Sequence, residues 1–135
     1  MTDDIRIMVQ YRLQRAHEAI EEARLLQQSQ FYNTVANRLY YACFYAVSAL
    51  LLLHHLKAAT HAGVRNQFAQ HFVRTGLATG DMNTLYSELF RFREKSDYED
   101  FFRLTADEAN RLLQQTPPFI DAIERLIDAQ LSAES

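Results

Sequence analysis

Apolar residues recur at steps of three or four along the first part of the chain. From Asp4 to about Gln28 they form one stripe, and the charged residues lie mostly on other faces. The stripe consists of Val9, Leu13, Ala16, Ile20, Ala23 and Leu26. This spacing predicts an amphipathic α-helix. Thr2 and Asp3 are suitable N-cap residues for it, and Ser29-Gln30 is a suitable turn after it.

The second segment, from Tyr32 to about Leu56, is apolar on more than one face. One stripe contains Val35, Leu39, Ala42, Ala46, Ala49 and Leu53, and another contains Tyr41, Tyr45, Ser48 and Leu52. Such a helix must be covered on more than one side. We therefore expect a central helix, or one shared between its own core and a partner subunit. The alanines would let another helix approach closely.

This segment is also the most apolar part of the chain. Its mainly apolar run, Leu39 to Leu53, is fifteen residues long, whereas a membrane-spanning helix needs about 20. A buried core helix is therefore expected, with no membrane association.

Two shorter helices are predicted next. Thr60 precedes a helical run from His61 to Arg74, and Gly76 is a suitable C-terminal cap for it. After a loop that ends at Gly80, Asp81 can cap a fourth helix. The apolar stripe of that helix is Met82, Leu85, Tyr86, Leu89 and Phe90.

The last part of the chain is predicted to be a loop and a final helix. The loop runs from Ser96 to Leu104, and Thr105 with Glu108 has the spacing of a capping box. The following helix should be kinked or broken near Pro117-Pro118 and should continue to about Leu131. Residues 1–135 are thus predicted to form a single all-α domain.

Composition supports this fold class. Three glycines and two prolines in 135 residues are too few for the many turns of a β-sandwich or barrel. The net charge of −3 argues against a protein that coats DNA generally. Cys43 is the only cysteine, so neither an intramolecular disulfide nor a cysteine metal site is expected. With no signal peptide visible, a cytoplasmic location is expected.

Arginine supplies the first candidate chemistry. Twelve of the fourteen basic residues are arginines, and arginine suits bidentate recognition of carboxylate or phosphate. Arg93 stands where the stripe of the fourth helix requires an apolar residue, and a buried guanidinium needs partners. It could pair with Asp97 one turn later. Alternatively, Arg93 and Tyr98 could line a cleft that faces a phosphate or a partner.

The second helix repeats this pattern. Asn37 and Arg38 lie just before its aromatic stripe and next to Tyr41. Arginines beside apolar stripes on two helices predict a polar cleft between them.

Four pieces of the chain, in order, resemble the HEPN domain. They are residues 37–46 (NRLYYACFYA), 60–65 (THAGVR), 72–76 (FVRTG) and 93–98 (REKSDY). More narrowly, they are similar to small stand-alone HEPN proteins that are often encoded beside a minimal nucleotidyltransferase. The resemblance extends from about residue 5 to about residue 130.

The resemblance implies an up-and-down bundle of four or five helices that is usually a homodimer, with a cleft on the two-fold axis. In ribonuclease members, a cleft arginine holds the scissile phosphate, and a histidine a few residues later helps proton transfer without metal. Arg93 matches that arginine, whereas Tyr98 occupies the position of the histidine. A phenol, with a pKa near 10, is a poor general base at neutral pH. No cofactor is implied.

None of the five histidines replaces the missing one by sequence proximity. His54 and His55 are adjacent on a helix and diverge by about 100°, so they cannot chelate one ion. His61 lies one turn before Arg65, where a helix cap or local pair is expected. His17 and His71 are expected at the surface or an interface. A metal centre has no support.

Three functions remain open. The first is a homodimeric module that docks a minimal nucleotidyltransferase and binds nucleotide or RNA in the cleft formed by Asn37, Arg38, Tyr41, Arg93, Asp97 and Tyr98. The second is a metal-independent ribonuclease toxin that uses Arg93 and Tyr98 and is silenced by that partner. The partner could nucleotidylate Tyr98, as the resemblance suggests. The third is a helical dimer with a purely structural role.

Overall fold

The computed structural model describes residues 3–134, which form five α-helices without a strand. The helices are α1 (Asp3–Gln28), α2 (Tyr32–Leu53), α3 (His61–Phe68), α4 (Gly80–Tyr98) and α5 (Ala106–Glu134). They pack as a helical bundle, which confirms the all-α prediction. Thr2, one predicted N-cap residue, lies outside the described residues. Asp3, the other, is the first described residue and lies within the helix.

Helices α1 and α2 form a close antiparallel pair. Near one end, Arg12 Nη1 on α1 donates to the carbonyl oxygen of Ser48 on α2 at 3.1 Å. Near the other end, Arg38 on α2 forms an ion pair with Glu22 on α1 at 3.4 Å. Small buried residues line both helices, as predicted for α2: Ala16, Ala19 and Ala23, and Ala42, Ala46 and Ala49. The absence of bulky side chains at these positions allows the two helices to approach closely.

Helix α2 is the central element, because it packs against α1, α3, α4 and α5. In the described part of the chain, it alone is long and apolar enough to span a membrane, by length and composition only. However, 61% of its most apolar window is buried within the bundle. This burial is what the sequence predicts for a core helix.

Helices α4 and α5 complete the core with aromatic residues and are joined to each other by an ion pair. The Phe119 ring of α5 lies 5.9 Å from the rings of both Phe68 and Tyr86. At the edge of this cluster, Arg111 donates to both oxygens of the Glu88 carboxylate at 2.9 and 2.8 Å. This bidentate geometry joins the last two helices.

Helix α5 runs through Pro117 and Pro118 without interruption, so of the predicted kink or break, the break does not occur. The two prolines lack amide protons, which leaves two carbonyl groups of the preceding turn without their usual helical donors. Buried side chains on both sides, among them Leu112 and Ile120, keep the helix on the core. Tertiary packing therefore outweighs the local cost of the prolines.

Several helix ends differ from the predicted ones. Helix α2 ends at Leu53 rather than Leu56, because His55 adopts a left-handed conformation with φ of 58°. The cap of α4 is Thr79, whose side chain accepts from the amide of Met82, rather than Asp81. Helix α4 also continues to Tyr98, so the following loop begins later than predicted.

The predicted helix His61–Arg74 changes its hydrogen-bond pattern midway. Residues Ala69–Val73 are π-helical, and the amide of Arg74 donates to the carbonyl oxygen of Ala69 at 2.9 Å. The π-helical segment ends at Val73 and its C-cap is Arg74, not Gly76 as predicted. Gly76 follows two residues later with a φ of 83°, a left-handed conformation that suits glycine.

The capping box at the start of α5 forms as predicted. The Glu108 carboxylate accepts from the amide of Thr105 at 3.0 Å, and the Thr105 hydroxyl accepts from the amide of Glu108 at 3.1 Å. Hydrogen bonds from the Thr105 backbone and hydroxyl lower the pKa of Glu108 below its ordinary value of 4.5.

Replacing this cap should have a measurable cost. We expect Thr105→Ala to lower the free energy of unfolding by about 1 kcal/mol in urea denaturation at pH 7. The folded-state pKa of Glu108 is depressed. The stabilisation that its ionised carboxylate contributes to the fold is therefore present above pH 4.5 and is lost as the pH falls through the lower folded-state value. The exposed Thr84→Ala is the control, and an equal loss in both variants would contradict the capping role.

Candidate functional site

Arg93 extends from α4 over two aromatic rings of α2. Its Cζ lies 5.1 Å from the centroid of the Tyr40 ring and 5.9 Å from that of Tyr41. These distances are typical of cation–π contacts. The Arg93 Nε is buried and has no hydrogen-bond partner among the described residues. The arginine that interrupts the apolar stripe therefore faces the aromatic surface of the neighbouring helix.

The charge of Arg93 is maintained by its surroundings. Burial lowers the pKa of the guanidinium, but the neighbouring hydroxyls of Tyr41 and Tyr40 and the more distant Asp97 raise it above its ordinary value. Within residues 3–134, no ion pair joins Arg93 to Asp97 or to any other carboxylate. The Arg93–Asp97 pair considered from the sequence therefore does not form, and Asp97 is exposed.

The other predicted cleft residues of α2 gather beside the same ring. The Arg38 Cζ lies 5.1 Å from the centroid of the Tyr41 ring, and its Nε and Nη2 donate to Asn37 Oδ1 at 3.3 and 3.2 Å. Tyr41 thus has two guanidinium groups near its ring, one from α2 and one from α4. Asn37, Arg38, Tyr41 and Arg93 form one cluster, which we call the arginine cluster.

His61 also belongs to this site, although sequence reasoning did not place it there. Its Nδ1 lies 2.7 Å from the hydroxyl oxygen of Tyr40, and its ring packs edge-on against Tyr41 at 5.9 Å. The expectation of a helix cap or a pair with Arg65 is wrong, because Thr60 caps α3 and His61 pairs across to α2. Its partner is distant in sequence, so only the fold reveals the contact.

Burial and the positive charge of Arg93 both lower the pKa of His61. The imidazole is therefore neutral at pH 7. The charge of Arg93 therefore disfavours protonation of His61.

Arg65 adds a third cation that sequence reasoning missed. Its Cζ lies 4.2 Å from the centroid of the Phe90 ring, and the Phe90 ring lies 6.1 Å from Tyr40. Of Arg38, Arg65 and Arg93, only Arg38 pairs with a carboxylate in the described part of the chain. The region is rich in cationic hydrogen-bond donors and aromatic faces.

Tyr98 lies apart from the arginine cluster. It is the last residue of α4, and its side chain is 82% exposed. Five residues along an α-helix correspond to a rotation of about 140°, so Tyr98 and Arg93 point to different sides of α4. Within one chain, the two predicted catalytic residues therefore do not share a site.

The donor set of the cluster suits an anion better than a metal ion. Among the described residues, no group of three or more His, Cys, Asp or Glu side chains could hold a metal. Guanidinium groups bind phosphate oxygens through charge-assisted hydrogen bonds. The ring face of Tyr41, which is only partly buried, can additionally stack on a nucleobase.

Comparison with known proteins agrees with the sequence resemblance. The profile of the HEPN domain matches residues 9–126. A "UPF0332 protein" of Thermotoga maritima is 34% identical over 121 residues, which are 90% of this chain and 92% of the relative. A "Putative toxin" of Methanocaldococcus jannaschii is 28% identical over 115 residues, covering 85% and 78%. Another from that organism, also named "Putative toxin", is 29% identical over 127 residues, covering 94% of both.

The match covers α2, α3 and α4 completely and most of α1 and α5, and it contains every residue of the arginine cluster. The chain belongs to the HEPN domain family.

Proposed function

We propose that this protein is a homodimeric, cytoplasmic HEPN module that binds the phosphate groups of RNA or of a nucleotide at the arginine cluster and docks a minimal nucleotidyltransferase. The observation that carries the proposal is the guanidinium of Arg93, which is half-buried over Tyr40 and Tyr41 without a carboxylate partner in the described residues. A cation in this setting is stabilised when an anion binds to it.

Phosphate fits this position better than a carboxylate side chain of a protein partner. Arg38 and Arg93 approach the same tyrosine ring from two helices, so two cations can contact one ligand with several anionic oxygens. Tyr41 is half-buried and can contribute a stacking surface for a base. A ligand with both phosphate and base would use the arginines and the ring together.

A second surface supports the homodimer. A groove of about 550 Å³ between α1 and the end of α2 is lined in part by Tyr45, Ser48 and Leu52, the second apolar stripe of α2. Met8 and Tyr11, which also line the groove, are exposed. Tyr45 also lies 6.0 Å from the Tyr41 ring. Pairing of two copies through this groove would bring their arginine clusters near each other.

The exposed position of Tyr98 supports the docking of a modifying partner. Its hydroxyl is on a side chain that is 82% exposed, and Phe101, three residues later in the chain, is 96% exposed. An enzyme that transfers a nucleotide to tyrosine requires an accessible hydroxyl. Tyr98 in this proposal is an acceptor for the nucleotidyltransferase and does not take part in ligand binding within its own chain.

Binding of RNA provides the direct test. We expect Arg93→Ala to weaken binding of a short fluorescein-labelled single-stranded RNA by about 10- to 100-fold in fluorescence anisotropy, because a hydrogen bond to a charged group contributes about 1.5–3 kcal/mol. Arg91→Ala, on the exposed side of the same helix, removes the same charge and is the matched control. Equal weakening in both variants would show that general charge, and not this site, holds the RNA.

A ribonuclease toxin is the second candidate function. Two relatives are named "Putative toxin". His61 supplies an imidazole, which α4 itself lacks, against the same two tyrosines that Arg93 contacts.

A further inference from the structure

We propose that a pocket between α4 and α5 binds a small molecule that carries an aromatic ring and a protonated amine. The pocket has a volume of about 690 Å³, which lies within the range of small-molecule sites. Residues at the start of α4 and in the middle of α5 line it, and no residue of the arginine cluster is among them. The inference is therefore independent of the proposed function.

The floor of the pocket is apolar. Leu85 of α4 and Phe119 of α5 are buried, and Met82 and Ala122 beside them are half-buried. A ring placed on this floor would remove apolar surface of both helices from water, which favours binding. The floor therefore suits the aromatic part of a ligand.

The α5 side of the pocket contains a carbonyl group without a helical donor. In an α-helix the Gln114 carbonyl accepts from the amide of residue 118, or from that of residue 117 in a tighter turn. Pro117 and Pro118 occupy these positions and have no amide proton. The Leu113 carbonyl also loses its usual donor, but the amide of Thr116 remains as the alternative. The two consecutive prolines therefore leave the Gln114 carbonyl without either donor.

This carbonyl lies along the wall of the pocket. A helical carbonyl points from its own residue toward the residue four positions later, and both Gln114 and Pro118 line the pocket. The side-chain hydrogen bonds to backbone carbonyls within residues 3–134 go to other residues. A ligand with an N–H donor can supply the missing hydrogen bond.

The charges of the pocket favour a cation over an anion. Arg111 lines the pocket, but it already donates to both oxygens of the Glu88 carboxylate and to Gln115 Oε1. Asp81, which also lines it, forms no ion pair within residues 3–134. An anionic ligand would therefore meet an unpaired carboxylate and a guanidinium whose charge is already matched.

An aromatic amine fits the floor, the carbonyl and the carboxylate together. An ammonium group has three donors and no acceptor, so it can donate to the Asp81 carboxylate and to the Gln114 carbonyl. The ring covers the apolar floor. A phosphate ligand does not fit, so this pocket differs from the arginine cluster in chemistry as well as in position.

Titration of the full chain with 2-phenylethylamine at pH 7, followed by amide-resolved NMR spectroscopy, tests the proposal. We expect a dissociation constant of about 1 mM or below for a ligand of this size. The shifted signals should come from the pocket residues of α4 and α5. 2-Phenylethanol retains the ring without the charge, and ethylamine retains the charge without the ring. Each should bind at least about tenfold more weakly than the amine.

A pair of proline variants tests the role of the Gln114 carbonyl. Pro118→Val supplies the amide that this carbonyl lacks and retains an apolar side chain, so it should weaken binding of 2-phenylethylamine about fivefold. Pro117→Val is the matched control, because its new amide serves the Leu113 carbonyl and Pro117 does not line the pocket. It should leave the affinity unchanged. Both variants remove a proline from a helix interior, so both should fold, and thermal unfolding checks this.

A second pair of variants tests the carboxylate. Asp81→Asn removes the charge and retains a polar side chain of the same size, so it should weaken binding of the amine about 5- to 10-fold. Asp128 is exposed on α5 and lies outside the pocket. Asp128→Asn removes the same charge from the protein and should bind like the wild type.

The proposal is overturned if millimolar 2-phenylethylamine leaves the pocket signals unshifted. It is also overturned if 2-phenylethanol binds as tightly as the amine, or if the two variants of either pair have equal affinities. None of these results bears on RNA binding through Arg93, so the failure of one proposal leaves the other intact.

Discussion

Ala46→Glu is expected to abolish cooperative folding of the isolated chain. Ala46 is fully buried in the middle of α2, the helix that contacts the other four. A carboxylate at this position would be removed from water without a partner, which costs several kcal/mol or more. The larger side chain would also separate closely packed helices. Since domains of this kind are stable by about 5–15 kcal/mol, the variant should lack a cooperative thermal transition.

The control for this substitution introduces the same side chain on a solvated face. Ala129 lies on α5 and is exposed, so Ala129→Glu should unfold with a free energy within about 0.5 kcal/mol of the wild type. A cooperative transition for Ala46→Glu near that of the control would mean that α2 is less enclosed than the bundle indicates.

Phe119→Ala should lower the free energy of unfolding by about 3–5 kcal/mol. The Phe119 side chain is only 2% exposed, and its ring contacts Phe68 and Tyr86. Truncation removes both the burial of the ring and its contacts with the two aromatic rings, and the surrounding helices can fill the cavity only in part. Urea denaturation followed by far-UV circular dichroism measures the loss.

Phe101 provides the matched comparison for Phe119. It is 96% exposed in the loop after α4, so Phe101→Ala should change the free energy of unfolding by less than about 0.5 kcal/mol. If the two phenylalanine variants were equally stable, α5 would not be packed on the core as described.

The fold was predictable because its determinants are mostly local. A period of three to four residues located every helix, and the caps at Thr60 and Thr105 could be read from neighbouring residues. The errors occurred where distant packing decides the outcome. Pro117 and Pro118 break isolated helices, but burial of the residues around them keeps α5 continuous. Nothing in the sequence of Ala69–Val73 indicates a π-helical turn.

The candidate site was predictable only in part, for the same reason. Arg93 and Arg38 could be found because each is a charged residue on or beside an apolar stripe. His61 could not, because its contact with Tyr40 joins residues that are far apart in sequence and lie on different helices. Tyr98 was placed with Arg93 by motif spacing, but the continuation of α4 to Tyr98 turns the two side chains apart.

Tyr40 connects the arginine cluster to the interior of the bundle. Its side chain is completely buried, its ring lies 6.0 Å from that of Tyr86 in the core, and its hydroxyl contacts His61. A genetic selection for loss of function would therefore recover Tyr40 variants of two kinds. Truncations would reduce the amount of folded protein, whereas phenylalanine would leave that amount unchanged and alter only His61. Protein abundance, measured beside phenotype, separates the two classes.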